Sequence, residues 1–326
     1  MKLDNLFRGL GLDKIIGDHP LSYIDIGSRG GFQNDLSPLA FAVNAIGFEP
    51  DPKEHARLEA APTGPWKSTR ILPYAIGAKT GRQKLFIPTD PQSASLLEHN
   101  PEIGRRFNKP QFFKVEDVID VDTVTLDEAA RLAGIKSADY IKIDIEGAEM
   151  GVFAACPGIM ENVLAVKTEV SFLPIRHAQH LAHEIEAYFK DRRFELMDVI
   201  RPAHWRRQGY LIHPYMSLEK PPYSRGQLIH ADYLYFRDPQ TLGNDKDALM
   251  RLALISMAFG YFDNALMILE QTALRSHLQK TYGLSPLEMV HPASRKYGRK
   301  MFLKAVYGHV RGLVPFIRYS RNFLTG

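Results

Sequence analysis

The chain has 326 residues, 45% of them hydrophobic and 24% charged, with a formal net charge of +4. That composition supports a sizeable folded core, and the mild basic bias does not by itself argue for nucleic acid. The only cysteine is Cys156, which excludes an internal disulfide and fits a reducing compartment.

The first twenty residues carry Asp4 and Asp13 and no continuous apolar run, so they do not read as a signal peptide. The apolar stretch 301–317 is interrupted by Lys304, His309 and Arg311 and does not read as a membrane span. The expectation is a cytoplasmic protein. Short apolar runs bounded by turn residues predict strands near 22–27, 45–49, 70–76, 84–88, 139–144, 163–169, 194–199 and 228–236. Helical patterns fall between them at 52–60, 125–134, 147–155 and 178–191. Alternating strands and helices imply a mostly parallel sheet with helices on both faces. The segment 76–88, with Thr80-Gly81 at its turn, reads as an added antiparallel hairpin.

From Asp247 the chain reads helical almost to its end, with a helix–turn–helix around Gly260. A single such unit does not make a repeat array, and a helical cap on the main domain is the simpler reading. The expected division is therefore 1–240 for the α/β domain and 241–326 for a helical extension.

The first strand ends in 25-DIGSRGGF-32, and Glu49 stands at the end of the second. A glycine turn lets a ligand approach the backbone, and a carboxylate at the next strand end accepts from ribose hydroxyls. Both NAD and S-adenosylmethionine want such an acid. The spacing 27-GSRGGF-32 is not G-x-G-x-x-G, which disfavours a pyrophosphate and hence NAD. Pro38, preceded by Ser37 as a cap, predicts a helix start at 37–44. A start that late holds the helix's positive end away from the glycine turn.

Three stretches, 23-YIDIGSRGGF-32, 46-IGFEPDP-52 and 140-YIKIDIEGAE-149, together resemble the FkbM family of S-adenosylmethionine-dependent methyltransferases. Supporting pieces lie at 121–130 and 164–170, and the resemblance spans roughly residues 20–237. It implies a Rossmann-like class I methyltransferase fold, acting on oxygen. It also implies that Asp25, Gly27, Ser28 and Gly31 line the methionine end of the cofactor and that Glu49 holds the ribose. Arg29 replaces the asparagine usual in the family; it could reach a cofactor carboxylate or an anionic substrate, or be solvated.

Methyl transfer from a sulfonium is an in-line displacement, and a hydroxyl acceptor must lose its proton as the bond forms. On 139–145 the two-residue period puts Tyr140, Lys142 and Asp144 on one face and the three isoleucines on the other. Asp144 is the first candidate for base or substrate orienter, and Glu146 the second. Glu169, at the end of the next strand, could complete an acidic cluster able to take magnesium. The competing reading makes Asp144 the cap of the next helix. His177, His180 and His183, spaced near one helical turn, read as a polar helix surface rather than a metal face. Ser93 and Ser95 read as turn or cap residues. The Tyr-, Trp-, Arg- and Pro-rich segment 201–227 could form a lid over a sugar or anionic substrate.

From His291 to Gly326 there is no Asp or Glu. A basic helix of this kind can lie on an anionic membrane surface, and no nucleic-acid-reading module accompanies it. The expectation is thus an O-methyltransferase for a sugar or other small-molecule hydroxyl, with peripheral membrane contact as an option for the tail. The alternative is a non-catalytic module that binds cofactor or glycan, with the helical tail mediating membrane or protein contacts. A nucleotide-dependent oxidoreductase ranks third.

Overall fold

A computed structural model describes residues 2–60, 64–207 and 226–323, with side chains to residue 311. Ten strands are present among them: β1 (Leu21–Ile26), β2 (Val43–Phe48), β3 (Ser68–Leu72), β4 (Ala75–Ile76), β5 (Gly81–Pro88), β6 (Val115–Val124), β7 (Tyr140–Ile143), β8 (Ala165–Ser171), β9 (Phe194–Trp205) and β10 (Gln227–Arg237). Seven of them form one sheet in the order β3-β2-β1-β7-β8-β10-β9. All its neighbours run parallel except β10, which is antiparallel to both β8 and β9. This is the Rossmann-like class I methyltransferase arrangement that the resemblance implied. The strand order reverses between β1 and β7, so the crevice at their carboxyl ends is the natural ligand position.

The two-residue period decides which side chain enters which core. Tyr23 and Tyr140 point to one face of the sheet, while Ile24, Ile26, Ile141 and Ile143 point to the other. The isoleucine face is covered by helices Leu126–Ala133, Glu149–Ala154 and Ala182–Asp191. The tyrosine face is covered largely by helices from beyond residue 245. Lys246–Phe259 buries ten residues, and it shares a core with β1, β2, Phe262–Leu269 and Thr272–Tyr282. The expected boundary near residue 240 falls at the turn Pro239–Leu242, and the helices beyond that turn pack against the sheet as its second helical layer.

That layer is needed because the connection between β1 and β2 holds no α-helix. Ser37–Ala42 is a 3-10 turn, not the α-helix expected from Pro38, and Ser37 makes no capping bond. The segment closes as a 3-10 turn, and Val43 enters β2 directly after it. With no crossover helix there, the carboxyl-terminal helices supply the apolar cover.

The predicted hairpin at 76–88 needs correction. β4 and β5 do not pair with each other; β6 lies between them, parallel to β4 and antiparallel to β5 over most of its length. β6 is mostly exposed and carries four acids in VEDVIDVDTV, so it offered no continuous apolar run to mark it as a strand. The histidine triplet is also not one helical face: helix Ala182–Asp191 begins after His180, and only His183 lies in it.

Candidate active site

Asp25, at the end of β1, is fully buried. Its Oδ2 accepts from the Tyr23 hydroxyl (2.7 Å) and the Gln33 amide (3.1 Å). Lys142 Nζ lies 3.3 Å from Oδ1, close enough to neutralise it without an aligned hydrogen bond. Burial raises the Asp25 pKa, and Lys142 opposes that rise. Lys142 is itself buried, which works against its charge, but Asp25 and Asp144 outweigh burial and leave its pKa raised. Lys142 thus stands between two acids, 3.7 Å from Asp144 Oδ2.

Gly27 joins the two halves of the site. Its φ is +86°, and a Cβ there would sit 2.2 Å from the Asp144 carbonyl oxygen. No L side chain fits, so the glycine turn and the exit of β7 are locked in contact. Ser28 is buried with both hydroxyl roles used: it donates to the Asp25 carbonyl (2.7 Å) and accepts from the Phe48 amide (3.0 Å). It fastens β1 to β2 beneath the turn. Gly31, with φ +104°, donates its amide to the Ser28 carbonyl and closes the turn. Arg29 forms an exposed pair with Asp51 at 3.8 Å. Glu49 is buried beyond β2, and Oε1 accepts from the Asp51 amide at 2.9 Å. Burial raises its pKa, opposed by that amide bond.

The other half gathers three carboxylates. Asp144, Glu146 and Glu169 each bring one oxygen to within 4.8 Å of the others. Asp144 is the open member, with 41% of its side chain exposed. It does not cap the next helix, which has no side-chain cap; Glu149 instead ties down the loop before it, accepting from the Ile145 and Gly147 amides at 3.0 Å each. Glu146 sits at φ +63°, a left-handed conformation that costs a non-glycine residue roughly 1 kcal/mol or more. Ser95 Oγ donates to its carbonyl at 2.8 Å, and Arg176 Nη2 donates to its carboxylate. Burial pushes the Glu146 pKa up to about 7 against the pull of Arg176. Glu169 pairs with His230 Nδ1 at 2.8 Å. Burial, then Glu146 and Asp144, hold Glu169 well above the usual carboxylate range, while burial lowers His230. Both directions favour a neutral hydrogen bond between them over an ion pair.

Beside this cluster opens a pocket of about 320 Å³. Glu146, Glu169, His230 and Arg176 line its polar side, and Phe112, Phe113 and Trp205 its aromatic side. Phe112 and Trp205 stack at 6.3 Å with an interplanar angle of 14°. Arg176 is buried, with Nε and Nη1 unpartnered, and its Nη2 also donates to the Ser93 carbonyl at 3.3 Å. A second, small polar recess, lined by Asp144, Lys142 and Gln33, shares Glu169 with the first.

The sequence reading placed Asp25, Gly27, Ser28, Gly31 and Glu49 on adjacent strand ends, and Asp144, Glu146 and Glu169 on the next two; the structure brings all of them to one edge of the sheet. It did not find Lys142, Arg176 or His230. Lys142 carried a signal: a lysine on an otherwise apolar strand, between two predicted acids. Arg176 and His230 carried none, because a loop and an antiparallel strand deliver them from afar. Most of the predicted lid, residues 208–225, lies outside the described residues; Trp205 falls just before them.

A model of the methyltransferase FkbM domain matches residues 33–196, half of the chain. The chain belongs to this family. The 2-O-methyltransferase NoeI of Sinorhizobium fredii is 30% identical over 128 residues, 38% of this chain. That match spans 52% of NoeI, so the chain spans about half the length of the curated relative it matches. Among solved structures, magnesium protoporphyrin IX methyltransferase from Synechocystis PCC 6803 with bound S-adenosylmethionine overlaps 72% of this chain and 78% of its own, at TM-score 0.31 and 11% identity. The 23S rRNA methyltransferase ErmE overlaps 89% of this chain and 96% of its own, at TM-score 0.29 and 11% identity. The FkbM match ends at residue 196, so it does not reach His230 or the carboxyl-terminal helices.

Proposed function

We propose that this FkbM-domain protein transfers the methyl group of S-adenosylmethionine to a hydroxyl of a sugar or other small molecule. The observation that carries the reading is the contact between Gly27 and Asp144: the glycine turn that would receive the methionine end abuts the exit of β7, where Glu146 and Glu169 line a ligand-sized pocket and Asp144 lines a smaller recess. In this reading Asp25 orders the turn through Gln33 and Lys142, and Gly27, Ser28 and Gly31 shape the methionine subsite. Glu49, with one oxygen taken by Asp51, offers the other to the ribose hydroxyls. The acceptor lies against the Phe112–Trp205 wall, as a sugar ring does on an aromatic face. Asp144, the open acid, orients the acceptor hydroxyl and takes its proton as the oxygen–methyl bond forms and the methyl–sulfur bond breaks. Glu146 lines the pocket and fixes its floor through Arg176.

The three acids are spaced as a divalent cation would accept, and oxygen ligands suit magnesium. Here Arg176 already occupies Glu146 and His230 occupies Glu169. We therefore assign the cluster to protons and acceptor, and expect a chelator to change the rate by less than about twofold, where a metal-activated hydroxyl would lose orders of magnitude. The test of the function is methyl-labelled S-adenosylmethionine incubated with a panel of sugars and polyols, the product located by mass spectrometry. Label on a carbohydrate hydroxyl, absent with Asp144→Asn, supports the reading. Transfer only to nitrogen or carbon, or transfer undiminished by Asp144→Asn, overturns it.

A further inference from the structure

Helix Pro286–Phe323 has two parts with different surroundings. Its first three turns pack on the body: Met289, Val290 and Ala293 are buried, and Tyr297 stacks edge-on against Phe262 at 5.4 Å. Among the described residues no side chain of the helix beyond Gly298 is buried, and every residue from Phe302 to Arg311 is exposed. The apolar residues in this part are large and open to solvent: Phe302 68%, Leu303 58%, Tyr307 67% and Val310 58%, with Val306 at 44%.

Their spacing is i, i+1, i+4, i+5, i+8, which on a 3.6-residue helix gathers them into one stripe. Lys300, Lys304 and Arg311 fall together along one border of that stripe. No acid occurs from His291 to the end of the sequence, so nothing on this part of the helix neutralises them. A helix that is apolar on one face, cationic at the border of that face and free of carboxylates matches the boundary of an anionic bilayer. There the stripe enters the acyl region and the ammonium and guanidinium groups meet lipid phosphates. Among the described residues no helix is long and apolar enough to cross a membrane, so the geometry is that of a helix lying in the interface plane.

We propose that residues 299–311 form a docking helix for anionic phospholipid membranes, which would hold the catalytic domain against the bilayer. The charge pattern selects this occupant. A second copy of the chain would have to bring its own Lys300, Lys304 and Arg311 up to these, with no acid on either stretch to answer them. The proposal stands apart from the choice of methyl acceptor and needs no activity to be tested.

The experiment is flotation of the full chain with vesicles of phosphatidylcholine alone and of phosphatidylcholine mixed with phosphatidylglycerol, beside a Phe302→Glu/Val306→Glu double variant. Both positions are exposed, so the variant should fold; circular dichroism checks this. The expected result is binding to the anionic vesicles, weakened by salt, and reduced at least about tenfold in the variant. Failure of the wild type to float with anionic vesicles overturns the proposal, as does equal binding to neutral ones. A wild-type dimer in light scattering that the double variant turns into monomer, without vesicle binding, also overturns it and assigns the stripe to a second copy.

Discussion

The two halves of the site are built on different plans. The glycine-turn half is assembled from neighbouring sequence: Asp25, Gly27, Ser28 and Gly31 share one turn, and Glu49 follows on the adjacent parallel strand. The acidic half is assembled from distance: Asp144 and Glu146 leave β7, Glu169 ends β8, Arg176 comes from a loop and His230 from an antiparallel strand. The first half is closely hydrogen-bonded, with Asp25 Oδ1 left without a hydrogen-bond partner. The second is crowded with like charge, relieved by Arg176, His230 and raised pKa values. A cofactor common to many enzymes suits a local, stereotyped cradle. An acceptor that varies suits a surface composed from several elements.

The contrast is sharpest where the halves touch. Gly27→Ala would place a Cβ 2.2 Å from the Asp144 carbonyl, at a φ of +86°. We expect a loss of at least about 3 kcal/mol, or no folded protein, read by thermal denaturation. An unchanged melting temperature would mean that the two halves are not in contact.

Asp144→Asn separates chemistry from donor binding. The open carboxylate is lost while its backbone bond to Ile26 is kept. The turnover number should fall about 10²- to 10⁴-fold, with affinity for S-adenosylmethionine within a few-fold of wild type. Single-turnover kinetics and calorimetry check the split; equal losses in both would give Asp144 a structural role.

Glu146→Gln probes the acidic half alone. Burial raises this carboxyl's pKa to about 7, above that of a free side chain. The folded state then holds the proton more tightly than the unfolded chain, so its contribution to stability is complete in acid and fades as pH rises through about 7. Wild-type melting should therefore drop by a few degrees between about pH 5 and pH 8, and the glutamine variant should lose part of that drop. A pH profile identical in the two proteins would place the titrating group elsewhere.

The same contrast explains what the sequence could and could not convey. Period-two alternation on 139–145 separated Tyr140 from the isoleucines, because every second side chain must enter a different core. The helical pattern over 125–134 matched helix Leu126–Ala133, which Thr125 caps by accepting from the Glu128 amide and Gly134 ends in the left-handed conformation. β6 escaped because its partners, not its own apolarity, make it a strand. The helix expected from Ser37 failed because a local start signal says nothing about how soon the next strand begins. Arg176 and His230 were invisible for a similar reason: their role exists only once β8, β10 and the loop after β8 have met.

The donor half carries the most weight in the proposed chemistry, and one titration tests it. S-adenosylmethionine should bind the purified protein with micromolar affinity by calorimetry, with NAD giving no heat. Asp144→Asn should bind as wild type does, and Glu49→Ala should bind about 10- to 100-fold more weakly, the loss of one buried, charge-assisted ribose contact. No binding by wild type, or binding by Glu49→Ala equal to it, would contradict the assignment of this turn to the cofactor.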